Sequence, residues 1–547
     1  MLIITLIFFY PIYFNKTIIL SNFTFLNYLL YGKYSFLIKV FFSFNFLFSN
    51  YIIILKFLSY IKPFFITKNN KSMAPDFSLL IGKDLKNNDV YIPEKSLYQN
   101  ILITGSIGSG KTSSAVYPFT KQLISYKSNN NDSKLAFLIL DVKGNFYSKV
   151  VEFASNYNRF NDIIEIGLNS SNTYNPLNKP NLKSSVLANR LKTILLLFSQ
   201  NNSESYWLDK VEQILKSFID FCRLYNDNYV TFEELNNLVC DRSYFDSKMN
   251  LIRKKFINNQ FTKDECYNLY HSIYFLNHDF YSLDSRTFNI LKSEITRITD
   301  IFVSDYDINR IFCPKKENQT FLGFKDVIEN GKIVVLNMNI SEHSNLSKII
   351  AAYLKLDFQS EVLSQLSNSN FPNRSTVFIS DEYQEYVTSS DANFFAQSRE
   401  SKCINIISTQ SYTSLLQTLN NQNSAKVIIQ NLINKLWFRC DDIYTIEDIQ
   451  KQIGKEEKKK ISRSISENSR NSFYNSFSKD FTTTNSNLSE SINSYMQNEY
   501  KYDSNFFTQE LNTFSCLSFL SNGDSILPPQ KLNMIPYFAN SDWSKNE

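Results

Sequence analysis

Across 547 residues the chain holds only 3 histidines, 7 cysteines, 11 glycines and 12 prolines. His271, His278 and His343 stand at no metal-ligand spacing from any cysteine. Cys222, Cys240, Cys266, Cys313, Cys403, Cys440 and Cys516 contain no CxxC pair, and their number is odd. A zinc site of familiar spacing and a disulfide framework are thereby excluded, and reduced thiols are expected. Acidic residues are missing from the first part of the chain: none precedes Asp76. The formal net charge of +5 is mild for this length, so it permits an anionic partner without requiring one. Phe, Tyr, Asn, Ile and Lys are used heavily throughout, so a single aromatic or lysine carries little weight.

What is present begins with a glycine cluster. An apolar strand, Ile101 to Ile103, runs into Gly105-Ser106-Ile107-Gly108-Ser109-Gly110-Lys111-Thr112-Ser113. This fits GxxxxGK[ST], the loop that wraps phosphates, in its strand–loop–helix context. Glycines let the backbone turn tightly and bring N–H groups to one anion. Lys111 would reach the β and γ phosphates, and Thr112 would give its hydroxyl to Mg²⁺. A helix from Lys111 to Tyr126 would add the positive end of its dipole. The substrate expected is ATP with Mg²⁺.

Such a site needs acids on a nearby strand. Leu135 to Leu140 ends in Asp141, one candidate, but Thr376-Val-Phe-Ile-Ser-Asp-Glu-Tyr383 is the better one. Asp381 would serve the magnesium shell and Glu382 would deprotonate the attacking water. The strand Ile404 to Thr409 ends in Gln410, placed to contact the γ-phosphate. Arg399, on an expected helix from Phe394 to Lys402, is either a surface arginine or a finger reaching a neighbouring subunit's nucleotide.

Domain texture follows the chain. Residues 1–66 read as a membrane anchor of two helices, one within Leu2 to Leu30 and one from Ile38 to Leu58. Lys62, Lys68 and Lys71 then place the main body in the cytoplasm. The alternative is a translation start at Met73. A first α/β part occupies 67–180. Residues 181–324 carry helical periodicity in Val186 to Leu197, Tyr206 to Phe221, Phe245 to Phe256 and Phe288 to Phe302, so an all-α insertion is expected. The α/β pattern resumes over 325–547, interrupted at 455–505 by a Ser/Asn-rich, low-complexity loop.

Taken in order, these motifs resemble the conjugative coupling proteins of the TraG/TraD type, hexameric relatives of FtsK/HerA DNA pumps. The resemblance rests on the phosphate loop with Ser113-Ser114, Asp141-Val-Lys-Gly-Asn145, Tyr174-Asn-Pro-Leu177, Tyr206-Trp207, Val377 to Glu382, Arg399, Gln410 and Lys435 to Asp441. It covers about residues 75–540. Val142 and Asn145 depart from the family's Asp-Pro-Lys-Gly-Glu, leaving the role of that segment open. The resemblance implies a RecA-like P-loop ATPase with the all-α domain inserted, forming a homo-hexamer on the inner membrane. It would pump DNA without sequence preference and engage relaxase or relaxosome proteins and type IV secretion channel components. The alternatives are a docking receptor for secreted proteins or relaxase, with ATP driving assembly, and a chromosomal FtsK/HerA-like pump or helicase-like ATPase.

Overall fold

The computed structural model describes residues 77–141, 143–198, 205–258, 260–367, 374–419, 422–468 and 487–539. The two expected membrane helices, within residues 1–66, lie outside the described residues. Among those described, no helix is long and apolar enough to cross a membrane.

Residues Asp76–Glu547 form one unit around a sheet of 11 strands. In chain order these are β1 (Ser78–Lys83), β2 (Asp89–Pro93), β3 (Ile101–Thr104), β4 (Ala136–Leu140), β5 (Ile163–Ile166), β6 (Ile333–Leu336), β7 (Thr376–Ser380), β8 (Cys403–Thr409) and β9 (Asn434–Phe438). A separate two-stranded ribbon, β10 (Lys455–Asn468) and β11 (Asn487–Tyr500), intervenes before β12 (Ser515–Phe519) and β13 (Gln530–Met534). Across the sheet the order is β2-β1-β13-β12-β9-β3-β8-β7-β4-β6-β5. From β9 to β5 every pairing is parallel, while β12, β13, β1 and β2 extend the sheet antiparallel.

The parallel strands are short apolar runs because both faces are covered. Alternate residues of one strand serve different cores. Leu102, Leu138, Phe378 and Ile407 belong to one cluster, with the helices between Ser184 and Phe312 and the helix Ser344–Ser364. Ile101, Ile103, Phe137, Ile139, Val377 and Ile406 belong to another, with the helices Tyr117–Ser125 and Phe146–Asn156. Each such side chain removed from water contributes roughly 1.5–3 kcal/mol before entropy is set against it.

Between β5 and β6 the chain is helical, with Ser184–Leu196, Ser205–Tyr225, Phe232–Cys240, Arg242–Ile257, Lys263–Phe275, Ser285–Thr299 and Tyr306–Phe312 among its elements. These helices share a core with the sheet. The helix Ser344–Ser364 joins them: Asp357 accepts from Tyr174, Lys179 and Arg190, while Lys355 donates to the Tyr386 carbonyl at 2.7 Å and to Asp391 at 2.6 Å.

Two expectations need correction. Over 455–505 the chain is not simply a loop, because β10 and β11 pair in register from Lys455↔Tyr500 to Asn468↔Asn487. Low-complexity composition misled here: polar alternation with β-branched isoleucines makes a ribbon even where neither face is buried. Arg399 is also not within a helix, since the helix Asp391–Gln397 ends before it.

Candidate active site

Register explains how distant motifs meet. Thr104 lies opposite Thr409, Ser380 opposite both Leu140 and Ile407. The next residues, Gly105, Gln410, Asp381 and Asp141, therefore emerge together at the carboxyl edge of the sheet, where open α/β folds hold ligands. β8 lies between β3 and β7, so Gln410 enters between the phosphate loop and the acids.

The loop's glycines are required for separate reasons. Gly110 has φ +95°, and a Cβ there would stand 2.6 Å from the Phe514 ring. A Cβ on Gly105 would stand 2.6 Å from Phe438 Cβ. Gly108, at φ +75°, instead borders open space, and Ile107 beside it is 77 % exposed, so the tip is free to face a ligand. The base is tied down: Ser106 N–H donates to the Arg439 carbonyl at 2.8 Å, Ser106 Oγ to Asp441, and Phe514 N–H to the Ser109 carbonyl at 3.2 Å. Past the loop, Ser113 and Ser114 turn their hydroxyls back to the Gly110 carbonyl.

Lys111 is buried and folded onto the loop, donating to the Gly105 carbonyl and, at 3.1 Å, to the Ser106 carbonyl. Burial lowers its pKa and nearby Lys143 lowers it further, against the raising charges of Glu382 and Asp381. Thr112 Oγ1 donates to Asp381 Oδ2 at 2.9 Å. Thus the loop's hydroxyl meets the acid from a strand 269 residues away in sequence. A hydroxyl and a carboxylate side by side suit Mg²⁺, which takes one or two protein ligands and fills its octahedron with water and phosphate oxygens. Among the described residues no group of three or more His, Cys, Asp or Glu is arranged for a metal.

Glu382 sits in the left-handed region at φ 49°, ψ 47°, which for a glutamate costs on the order of 1 kcal/mol. The surrounding turn is fixed by Tyr386, whose hydroxyl donates to the Asp381 carbonyl at 2.7 Å, and by Tyr383, which donates to Asp391. Glu382 Oε1 accepts from Lys143 Nζ at 2.7 Å; Oε2 accepts from Gln384 at 2.8 Å and Gln410 at 3.0 Å. Burial pushes its carboxyl up, but the hydrogen bonds from Lys143 and Gln384, the Lys143 charge and the Gln410 amide outweigh burial and leave it below its usual range. A cleft of about 510 Å³ opens beside it, lined by Lys143, Asn339, Lys348, Glu382, Gln384 and Gln410 among others.

Asp141 reaches the same edge but turns inward. Its oxygens accept from the N–H groups of Lys143 at 3.0 Å and Phe146 at 3.1 Å, and burial, with Asp381 adding to it, raises its pKa. It shapes the turn that presents Lys143. Arg399 is not brought to the site: it is exposed and precedes β8, at the opposite edge of the sheet. Sequence reasoning missed Lys143 and Gln384 as partners of Glu382. Their signal was proximity to the strand-end acids, which the motifs alone do not weigh.

Residues 375–494 match the family model described as the TraM recognition site of TraD and TraG. This segment is similar to the corresponding part of the TraG and TraD proteins. Asp381, Glu382, Gln410 and Asp441 all fall in the matched segment. No curated protein is significantly similar to it. Among solved structures, the unbound bacterial conjugative coupling protein TrwBdeltaN70 matches with TM-score 0.56 at 12 % identity, covering 85 % of this chain and 90 % of its own. Plasmid coupling protein TrwB in complex with ADP and Mg²⁺ matches with TM-score 0.54 at 12 % identity, over 83 % of this chain and 89 % of that one. TrwB with a non-hydrolysable ATP analogue gives TM-score 0.55 at 12 % identity, over 82 % and 88 %. At such identities the likeness establishes a shared fold, an α/β fold with a large, mainly parallel sheet.

Proposed function

We propose that this chain is an ATP-hydrolysing coupling protein that delivers DNA, with its relaxosome proteins, to a type IV secretion channel. The observation that carries the reading is the 2.9 Å contact of Thr112 with Asp381, with Glu382 next to it at the edge of the phosphate loop. The family match over 375–494 and the TrwB-like fold supply the biological context.

In this reading ATP lies on the Gly105–Thr112 turn, its β and γ phosphates facing the loop's backbone N–H groups. Lys111 exchanges the Gly105 and Ser106 carbonyls for phosphate oxygens. Thr112 and Asp381 hold Mg²⁺, which when bound neutralises charge on the phosphates. Glu382 accepts the proton of the attacking water, and Gln410 orients that water or the γ-phosphate. Arg399 stands away from its own chain's nucleotide, so a finger role requires a neighbouring subunit. A homo-hexamer anchored to the inner membrane by residues 1–66, with DNA in its channel, fits that requirement. DNA contacts would be to phosphates, non-specific and weakened by salt.

The test is Lys111→Ala in a mating assay with parallel ATPase measurements. The variant should be produced at the wild-type level, yet hydrolyse no ATP and transfer no DNA. Transfer at the wild-type rate would defeat the reading. The description of the matched segment favours a second role, docking of relaxosome proteins. Strong stimulation of the ATPase by DNA supports the pump, whereas relaxase binding without stimulation supports the receptor.

A further inference from the structure

The Asp141–Asn145 segment has a geometry that the reading above does not use. Asp141 caps the turn after β4, and β4 neighbours β7, so the turn aims Lys143 at the acid that follows β7. Glu382 is consequently engaged on both oxygens by three donors. A carboxylate paired with an ammonium is a weaker base than a free one, so losing that donor favours proton transfer from water.

The three donors are not equally held. Gln384 is buried, and its own oxygen accepts from Thr409 Oγ1 at 2.9 Å, which pins the amide. Gln410 follows β8 directly and is half-buried. Lys143 is different. Its side chain is 52 % exposed, it lies on the open cleft, and Glu382 is its one side-chain partner among the described residues. A flexible ammonium on a four-carbon stem is the donor most easily exchanged. Lys111 stands close enough for the two positive charges to disfavour each other.

We propose that Lys143 senses the terminal phosphate of a bound nucleoside triphosphate: it holds Glu382 while that phosphate is absent and moves to the phosphate when it is present, releasing Glu382 as base. This rests on the ATPase reading of the site. In the step so licensed, the water oxygen bonds to the γ-phosphorus and its proton passes to Glu382 Oε1. The bond from phosphorus to the β–γ bridging oxygen breaks, and that electron pair stays on ADP. After phosphate leaves, Lys143 returns to Glu382. Lys143 is thus a positioning residue that makes the base available only when substrate is complete.

The experiment is nucleotide binding by the full chain, titrated calorimetrically with Mg²⁺ and either ADP or a non-hydrolysable ATP analogue. Wild type should prefer the triphosphate. Lys143→Gln should weaken the analogue about tenfold, the scale of one charge-assisted hydrogen bond, and leave ADP within about twofold. Lys143→Arg should keep the preference. Glu382→Gln releases the lysine and should tighten the analogue, and this gain should vanish in the Lys143→Gln/Glu382→Gln double variant. Unchanged discrimination in Lys143→Gln, or a gain that survives in the double variant, would overturn the proposal. Wild type that binds neither nucleotide would overturn the ATPase reading, and the sensor with it.

Discussion

At the edge where β3, β8 and β9 begin, the polar groups are neutral amides, fully buried. Asn100 donates to the Phe395 carbonyl at 3.1 Å and the Asn431 carbonyl at 2.9 Å, and accepts from Asn405 at 2.6 Å. Asn434 donates to the Ser96 carbonyl at 2.8 Å and accepts from Ser96 Oγ at 3.0 Å and Ser521 N–H at 2.9 Å. At the opposite edge, where β4 and β7 end, the groups are charged, and Lys143 reaches solvent. Both edges are densely hydrogen-bonded, yet they do opposite work. Amides satisfied on every side have nothing to exchange, so they lock the register of three strands. Ammonium and carboxylate groups that pair with one another, or with loop carbonyls, can trade those partners for a more highly charged ligand. A rigid edge thus holds the exchangeable one in place.

Substitutions at each edge sharpen this contrast. The largest effect belongs to the exchangeable edge. Glu382→Gln should reduce ATP turnover by roughly 10²–10⁴-fold with the unfolding midpoint nearly unchanged. Wild-type turnover in that variant would remove Glu382 from the chemistry. Asn100→Ala should do the reverse. It strands four hydrogen-bond partners and places alanine at φ 64°, so stability should fall by about 3 kcal/mol in denaturant titration. Molecules that remain folded should bind nucleotide normally.

Thr112→Val should raise the Mg²⁺ concentration for half-maximal activity about tenfold, since one hard-oxygen ligand is lost. A magnesium titration of the ATPase reads it directly. A last test concerns an exception at the rigid edge. Lys435, next to Asn434, is buried with its ammonium facing the Phe519 ring, and burial, only partly offset by Asp448, pushes its pKa down to about 8. Its folded value lies below its unfolded one. The penalty for the buried charge is therefore full below the folded value and relieved as pH rises towards the unfolded value near ~10.4. Lys435→Met should stabilise the chain by on the order of 2 kcal/mol at neutral pH, with the gain fading in alkali. Unfolding midpoints at two pH values decide it.

The phosphate loop, the acids after β7 and Gln410 were legible because each motif is local. A run of a few residues carries its own turn chemistry and strand ending. The helices between β5 and β6 were legible for the same reason, through periodicity. What escaped was pairing. β13 was not foreseen, because its alternating polar residues resemble a tail until β12 and β1 flank it. Composition alone makes the ribbon β10–β11 look like a loop, because hydrogen bonding between strands leaves no trace in composition. Arg399 precedes β8, which runs parallel to β3, and so stands at the far edge from Gly105.

By itself, then, the sequence determined the chemical inventory: a phosphate-binding turn, an acidic strand end, a strand-end glutamine and a helical insertion. Those depend on neighbours along the chain. Tertiary structure alone decided that Thr112 touches Asp381, that Asp141 shapes a turn instead of serving the site, and that Lys143 occupies Glu382. The Asp141 turn is local, but the other two contacts span 269 and 239 residues, and parallel strand register, which no single strand encodes, is what sets them.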